Sequence, residues 1–132
     1  MNIKTKRDAS VILTHYLIAA LWSSLDENDN PFDDNFNIKD IGYKTKEQSK
    51  QDIKKFLEKA KELLGEATDE QIGHDFWLTR NSHGSGFWDN EKKYLNKKVG
   101  EKLTNIAKDF IEVFVYLADI EEEDDCGKIY FM

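Results

Sequence analysis

The chain of 132 residues has one cysteine, Cys126, and one proline, Pro31. A single thiol excludes an internal disulfide framework and a cysteine-based zinc site, and it suits a reducing cytoplasm. Positive charge is in deficit, since 19 Lys and Arg against 26 Asp and Glu give a net charge of −7. A chain of that sign is not held to a partner by bulk positive charge, so neither nucleic acid nor an anionic membrane is an expected direct ligand. Long apolar runs are missing as well. The longest, Val11 to Trp22, is interrupted by Thr14 and His15 and is too short to span a bilayer. The basic start at Lys4, Lys6 and Arg7 is followed by Ser23-Ser24-Leu25 and acids, with no small-residue cleavage site, so no secretory leader is expected. What remains is 39% hydrophobic and 12% aromatic, too rich for a disordered chain. The expectation is one acidic cytoplasmic domain over residues 1–132.

Apolar spacing predicts a first helix from Asp8 to Leu25, apolar nearly all the way round and therefore the central buried element. His15 within it reads as a core histidine. Asp26 to Pro31 breaks that helix with turn formers. A second helix is predicted from Ile53, Phe56, Leu57, Ala60, Leu63 and Leu64, with Gly65 ending it and its many lysines on the solvated face. Thr68 and Gln71 stand in capping-box positions. The run His74 to Thr79 carries no charge after Asp75 and reads as a strand, paired through a glycine-bearing loop with Phe87-Trp88-Asp89. A third helix is expected around Val99, Leu103, Ile106, Ala107 and Phe110. Val113 to Ala118 reads as a strand or as the end of that helix, and Lys128 to Phe131 as the closing strand. The predicted class is α+β, with three main helices packed on a small, mainly antiparallel sheet.

The segment Gly73 to Asp89 concentrates unusual residues, with two of the three histidines, two of the three tryptophans and Arg80. Such density around a loop points to binding. His74, Arg80, Asn81 and His83 carry the donors to grip a phosphate or carboxylate, and Trp77 and Trp88 could stack on a base. The competing reading is structural, with the aromatics in the core and Arg80 paired to Asp75 or Asp89. His74, Asp75, His83 and Asp89 hold the atoms of a His/carboxylate metal site, but their spacing matches no metal signature, so no metal and no cofactor are expected. The phosphate loop, the nucleophile elbow and the H-E-x-x-H helix are all missing. Asp124 and Asp125 disfavour a thiolate at Cys126, so no catalytic residue is assigned.

Two stretches are strongly acidic. Asp26 to Asp40 has six acids against one lysine, and Asp119 to Asp125 has six acids in seven residues. Like-charge blocks usually form solvated loops. The first has oxygens for calcium but departs from EF-hand spacing. In the second, Glu121, Glu122, Glu123, Asp124 and Asp125 offer a surface complementary to a basic protein, such as the nucleic-acid groove of a nuclease.

The motif Gly73-His-Asp-Phe-Trp-Leu-Thr-Arg-Asn-Ser-His-Gly-Ser-Gly-Phe-Trp-Asp89 resembles the hallmark G-H-D-F-W-L-T-R-N-G-H-G-A-G-F-W-D of a set of small phage- and prophage-encoded proteins. Ser82 and Ser85 replace the usual Gly and Ala. The likeness extends to Ala20 to Ser24, Asp29 to Pro31, Asp33 to Phe36, Gly100 to Thr104 and the closing strands, while Glu121 to Asp125 replaces a shorter turn. The resemblance implies a phage accessory protein acting in the bacterial cytoplasm, and it supplies no reaction to carry over. The expected function is binding and inhibition of a host protein, of the type that blocks a CRISPR or restriction nuclease. The alternative is a nucleotide or small-signal binder using residues 73–89.

Overall fold

The structure, a computed structural model, describes residues 7–82, 86–87, 94, 97–118 and 128–132. Among them the chain forms four α-helices and two short antiparallel strands, an α+β arrangement with one helix more than predicted. Helix α1 spans Ala9–Ser23 and starts where the Asp8 side chain accepts the N–H groups of Ser10 and Val11. The apolar girdle anticipated for it is buried only in part. Ile12, Tyr16, Leu17 and Ala19 to Leu21 are buried, and Ile18 and Trp22 face outward.

Two 3-10 turns, Phe32–Asp34 and Ile38–Asp40, carry the chain from α1 to α2, Tyr43–Ala60. Two acids of this stretch serve the backbone. Asp26 Oδ1 accepts the N–H of Asn28 at 2.8 Å and of Asn30 at 3.0 Å, and Asp40 Oδ2 accepts that of Asn37 at 2.9 Å. Such local side-chain bonds are what short acidic residues do in turns. In α2 the inner face is polar at its start, with Thr45, Ser49 and Asp52 buried. It turns apolar at Ile53, Phe56 and Ala60.

Helix α3, Asp69–Arg80, occupies the segment predicted as a strand from His74 to Thr79. Thr68 Oγ1 accepts the Gln71 N–H at 3.2 Å, so the predicted cap exists, and it opens a three-turn helix. The strand reading failed because α3 is buried on nearly every side, from Ile72 to Arg80 with only His74 half-exposed. A short uncharged run looks alike as a buried strand and a buried helix. Gly73 brings α3 against α1, because a Cβ at this position would lie 2.2 Å from the Ile12 carbonyl oxygen. Of the predicted partner strand only Phe87 is described, and it is not in a strand. Phe87 is a buried ring stacked on Phe56 at 5.4 Å, and Trp88 and Asp89 lie outside the described residues.

Helix α4, Lys97–Lys108, buries Gly100, Leu103 and Ala107 against α2 and α3. Strand β1, Val115–Leu117, pairs antiparallel with β2, Ile129–Phe131, with Tyr116 opposite Tyr130. Both strands fall where they were expected. On its other side β2 is covered, since the Ile129 carbonyl accepts Gly42 N–H at 2.9 Å and Thr45 Oγ1 accepts Phe131 N–H at 3.3 Å. No helix among the described residues is long and apolar enough to cross a membrane.

Candidate functional site

The C-terminal end of α3 grips the segment that leads into β1 through three consecutive residues. Arg80 Nε donates to the Ile111 carbonyl at 2.8 Å, and Asn81 Oδ1 accepts the Val113 N–H at 2.8 Å. Ser82 Oγ donates to Glu112 Oε1 at 3.2 Å. Arg80 is only 6% exposed. Its Nη1 donates to Asp52 Oδ2 at 2.8 Å and to the Tyr16 hydroxyl at 3.0 Å, and its Cζ lies 5.5 Å from the Phe110 ring centre. Burial pushes the Tyr16 phenol up to about 12, against the pull of the neighbouring guanidinium, so the hydroxyl stays protonated at neutral pH.

This corrects the expectation that Arg80 joins His74, Asn81 and His83 in gripping a phosphate or carboxylate. It is a buried cation, and its partner is Asp52 on α2, where the structural reading had looked to Asp75 or Asp89. A guanidinium taken out of water needs a carboxylate and further acceptors, and here it has both.

The Arg80–Asp52 pair forms part of the wall of a cleft of about 590 Å³ between the first half of α2, the segment 109–113 and the sheet. Gln48, Ser49, Phe110, Tyr116 and Tyr130 also line it. That volume lies within the range of ligand cavities, which are mostly apolar with a few placed polar groups. A smaller cleft of about 250 Å³ lies between Ser23–Leu25, Trp77, Asn81 and the segment Glu112–Val115.

The other predicted site residues do not converge. Trp77 is buried, with its indole N–H on Ser23 Oγ at 2.8 Å and its ring edge-on to Tyr16, so it cannot receive a base. Asn81 holds backbone at Val113 and Trp77. Asp75 is buried and accepts from Gln71 Nε2 and from the Tyr94 hydroxyl, each at 2.8 Å. Burial and that neighbouring carboxylate raise the Tyr94 phenol well above its usual range. His74 stacks on the exposed Trp22 at 5.3 Å and 26°, with its Nδ1 3.5 Å from Asp75 Oδ1. It sits about 120° around the helix from Arg80, so the two cannot grip one small anion. His83, Trp88, Asp89 and the acidic residues Glu121, Glu122, Glu123, Asp124 and Asp125 lie outside the described residues. Among the described residues no three His, Cys, Asp or Glu side chains form a group that could hold a metal ion.

No protein-family model, no curated protein and no solved structure matches this chain.

A second surface stands out beside the clefts. Phe114 and Met132 exchange both backbone hydrogen bonds, at 2.8 and 2.9 Å, and Ala118 N–H reaches the Lys128 carbonyl at 2.8 Å. With Tyr116 opposite Tyr130, the antiparallel alternation turns the N–H and C=O groups of Val115 and Leu117 away from β2. Among the described residues no strand pairs with that edge. Large apolar side chains of the sheet and the segment before it are exposed, with Ile111 at 84%, Phe114 at 69%, Leu117 at 48% and Met132 at 77%. Sequence reasoning missed both Asp52 and this edge. For Asp52 the signal was available, because it shares the spacing of Ser49, Ile53 and Phe56 and so falls within the inner face of α2.

Proposed function

We propose that this chain is a non-enzymatic accessory protein that binds a basic host protein through the open edge of β1 and thereby inhibits it. The observation that carries the reading is the edge at Val115 and Leu117, which no strand among the described residues pairs with, in a stretch that exposes Phe114 and Leu117. Soluble proteins rarely leave a strand edge open beside large apolar groups, because such an edge recruits another strand. An extended segment laid along β1 would gain main-chain hydrogen bonds and seat alternate side chains against Phe114 and Leu117. Charge selects the occupant. The connection from β1 to β2 carries six acids in seven residues at Asp119 to Asp125, and the whole chain has a net charge of −7. A segment of alternating apolar and basic residues fits both features, and a nuclease that handles nucleic acid is a host protein rich in such surface. The resemblance of Gly73 to Asp89 to phage-encoded proteins supports a target in the infected cell.

The test compares wild type with Leu117→Pro, which removes one outward N–H and leaves the β1–β2 bonds in place, as edge strands tolerate. Wild type is expected to retain a basic protein from host extract, with affinity falling as salt rises, and Leu117→Pro is expected to lose it while melting normally. Equal retention by both proteins, or none by wild type, would defeat the reading. So would a wild-type dimer that Leu117→Pro dissolves, since a second copy would then occupy the edge.

A further inference from the structure

The geometry points to the 590 Å³ cleft as a binding site for a flat, uncharged heterocycle that presents a carbonyl beside a ring N–H, the lactam edge found in oxopyrimidines and oxopurines. The inference does not depend on the β1 edge, although Tyr116 of β1 stands in the cleft wall.

Asp52 engages both of its carboxylate oxygens. Its Oδ2 takes Nη1 of Arg80 at 2.8 Å and its Oδ1 takes Nε2 of Gln48 at 2.9 Å. The first bond leaves Nη2 of Arg80, which has no hydrogen-bond partner among the described residues and is not closed off from solvent as the unpaired Arg7 Nε and His74 Nδ1 are. With Arg80 in the cleft wall, that charged donor is open to an acceptor brought by a ligand. The second bond fixes the Gln48 carboxamide, so its carbonyl oxygen is the end left for a ligand. One carboxylate thus orders a donor on one side and an acceptor on the other, both lining the same cleft. A lactam has the matching pair, a carbonyl to take the Arg80 proton and an adjacent N–H to give to Gln48. The Ser49 hydroxyl, 3% exposed, supplies a further group at the same wall.

Charge narrows the class further. Lys44 and Arg80 line the cleft against Asp52 and Asp109, so its formal charges cancel. A phosphate or dicarboxylate would meet Asp52 with no surplus positive charge to hold it. An uncharged ring suffers no such repulsion. Aromatic walls complete the fit, because Phe110, Tyr116 and Tyr130 line the cleft and the last two rings lie 5.9 Å apart at 34°. Such faces hold flat rings by stacking.

The test is titration of the full chain with uridine, inosine, adenosine and benzoate, followed by amide chemical shifts. Uridine and inosine carry the lactam edge, adenosine has the ring without it, and benzoate has an aromatic ring with a charge. Uridine and inosine are expected to shift the amides of Thr45, Ser49 and Val113, and the other two to bind at least about tenfold more weakly. Replacing Arg80 would strip Asp52 of its partner and endanger folding, so the decisive variant is Gln48→Leu at an exposed position. It is expected to melt like wild type and to bind uridine at least about tenfold more weakly. Silence toward both uridine and inosine, an equal response to adenosine or benzoate, or undiminished uridine binding by folded Gln48→Leu would each overturn the proposal.

Discussion

The Oδ1 of Asn81, at the end of α3, accepts the backbone N–H of Val113 at 2.8 Å, and so the helix sets where the open strand begins. Asn81→Ala leaves that partly buried N–H without a partner. The expected cost is about 1–3 kcal/mol, with faster amide exchange at Val113 than elsewhere in the sheet. Ser82→Ala, which removes an exposed contact to Glu112, is expected to cost under about 0.5 kcal/mol. Chemical denaturation of the two variants checks the contrast.

Arg80 and Asp52 behave as a unit. Arg80→Ala abandons a carboxylate that is 8% exposed, and a broken buried pair costs about 3–5 kcal/mol. Replacing both partners with Arg80→Met and Asp52→Leu removes the unpaired charge and is expected to recover most of that loss. A double-mutant cycle by urea denaturation measures the coupling, and additivity of the two single losses would show that the pair does not hold the cleft wall together.

How far the sequence could be read follows from where information is local. The girdle of α1, the inner stripe of α2 and the alternation in β2 are written in spacing that one element carries by itself. The identity of α3 was not, because His74 to Thr79 has too few polar positions to show a period, and only its burial against Ile12 and Tyr16 distinguishes helix from strand. The motif drew attention to Arg80 and not to what it pairs with. Its partner Asp52 lies 28 positions earlier, and nothing local ties the two together. Whether an edge of β1 is paired among the described residues depends on the whole fold and not on any one segment.

Phe56 stands between two parallel rings, 4.3 Å from Phe76 at 17° and 5.4 Å from Phe87 at 13°. Phe56→Ala is expected to cost about 3–5 kcal/mol, since truncating a fully buried aromatic leaves a cavity that α2 and α3 cannot close. Lys54→Ala, on the exposed face of α2, is expected to cost under about 0.5 kcal/mol. Equal midpoints in guanidinium would mean the helix phase is wrong.

Gly73 permits the α1–α3 contact, and a methyl group there would meet backbone on both sides, 2.2 Å from Ile12 O and 2.9 Å from Tyr16 N. Backbone cannot step aside as a side chain can, so Gly73→Ala must push the helices apart. The expected loss is about 3 kcal/mol or more, against the gain of helix propensity that Ala brings elsewhere. A stabilised Gly73→Ala protein in a thermal melt would contradict the close approach of these helices.

Tyr16 gives the fold an alkaline limit. Its phenol is held protonated by burial, with the folded value about 12 against an ordinary 10.0. The unfolded chain therefore releases this proton first as pH rises, so between pH 10 and 12 it binds fewer protons than the folded chain and stability falls with pH. The contribution is fully present below pH 10 and is lost on the way to 12. At its full extent it amounts to about 3 kcal/mol, from two pH units at roughly 1.4 kcal/mol each. Tyr94, raised well above its usual range by burial and by Asp75, adds a loss of the same sign. Tyr16→Phe keeps the ring among Phe76, Trp77 and Phe131 and deletes the titrating group. It also removes one acceptor from Arg80, which still holds Asp52 and the Ile111 carbonyl, so a moderate loss at pH 8 of about 1–2 kcal/mol is expected. The informative quantity is the slope. Urea denaturation from pH 8 to 11.5 should show stability falling less steeply in Tyr16→Phe than in wild type, and parallel slopes would mean that this hydroxyl is reached by solvent in the folded protein.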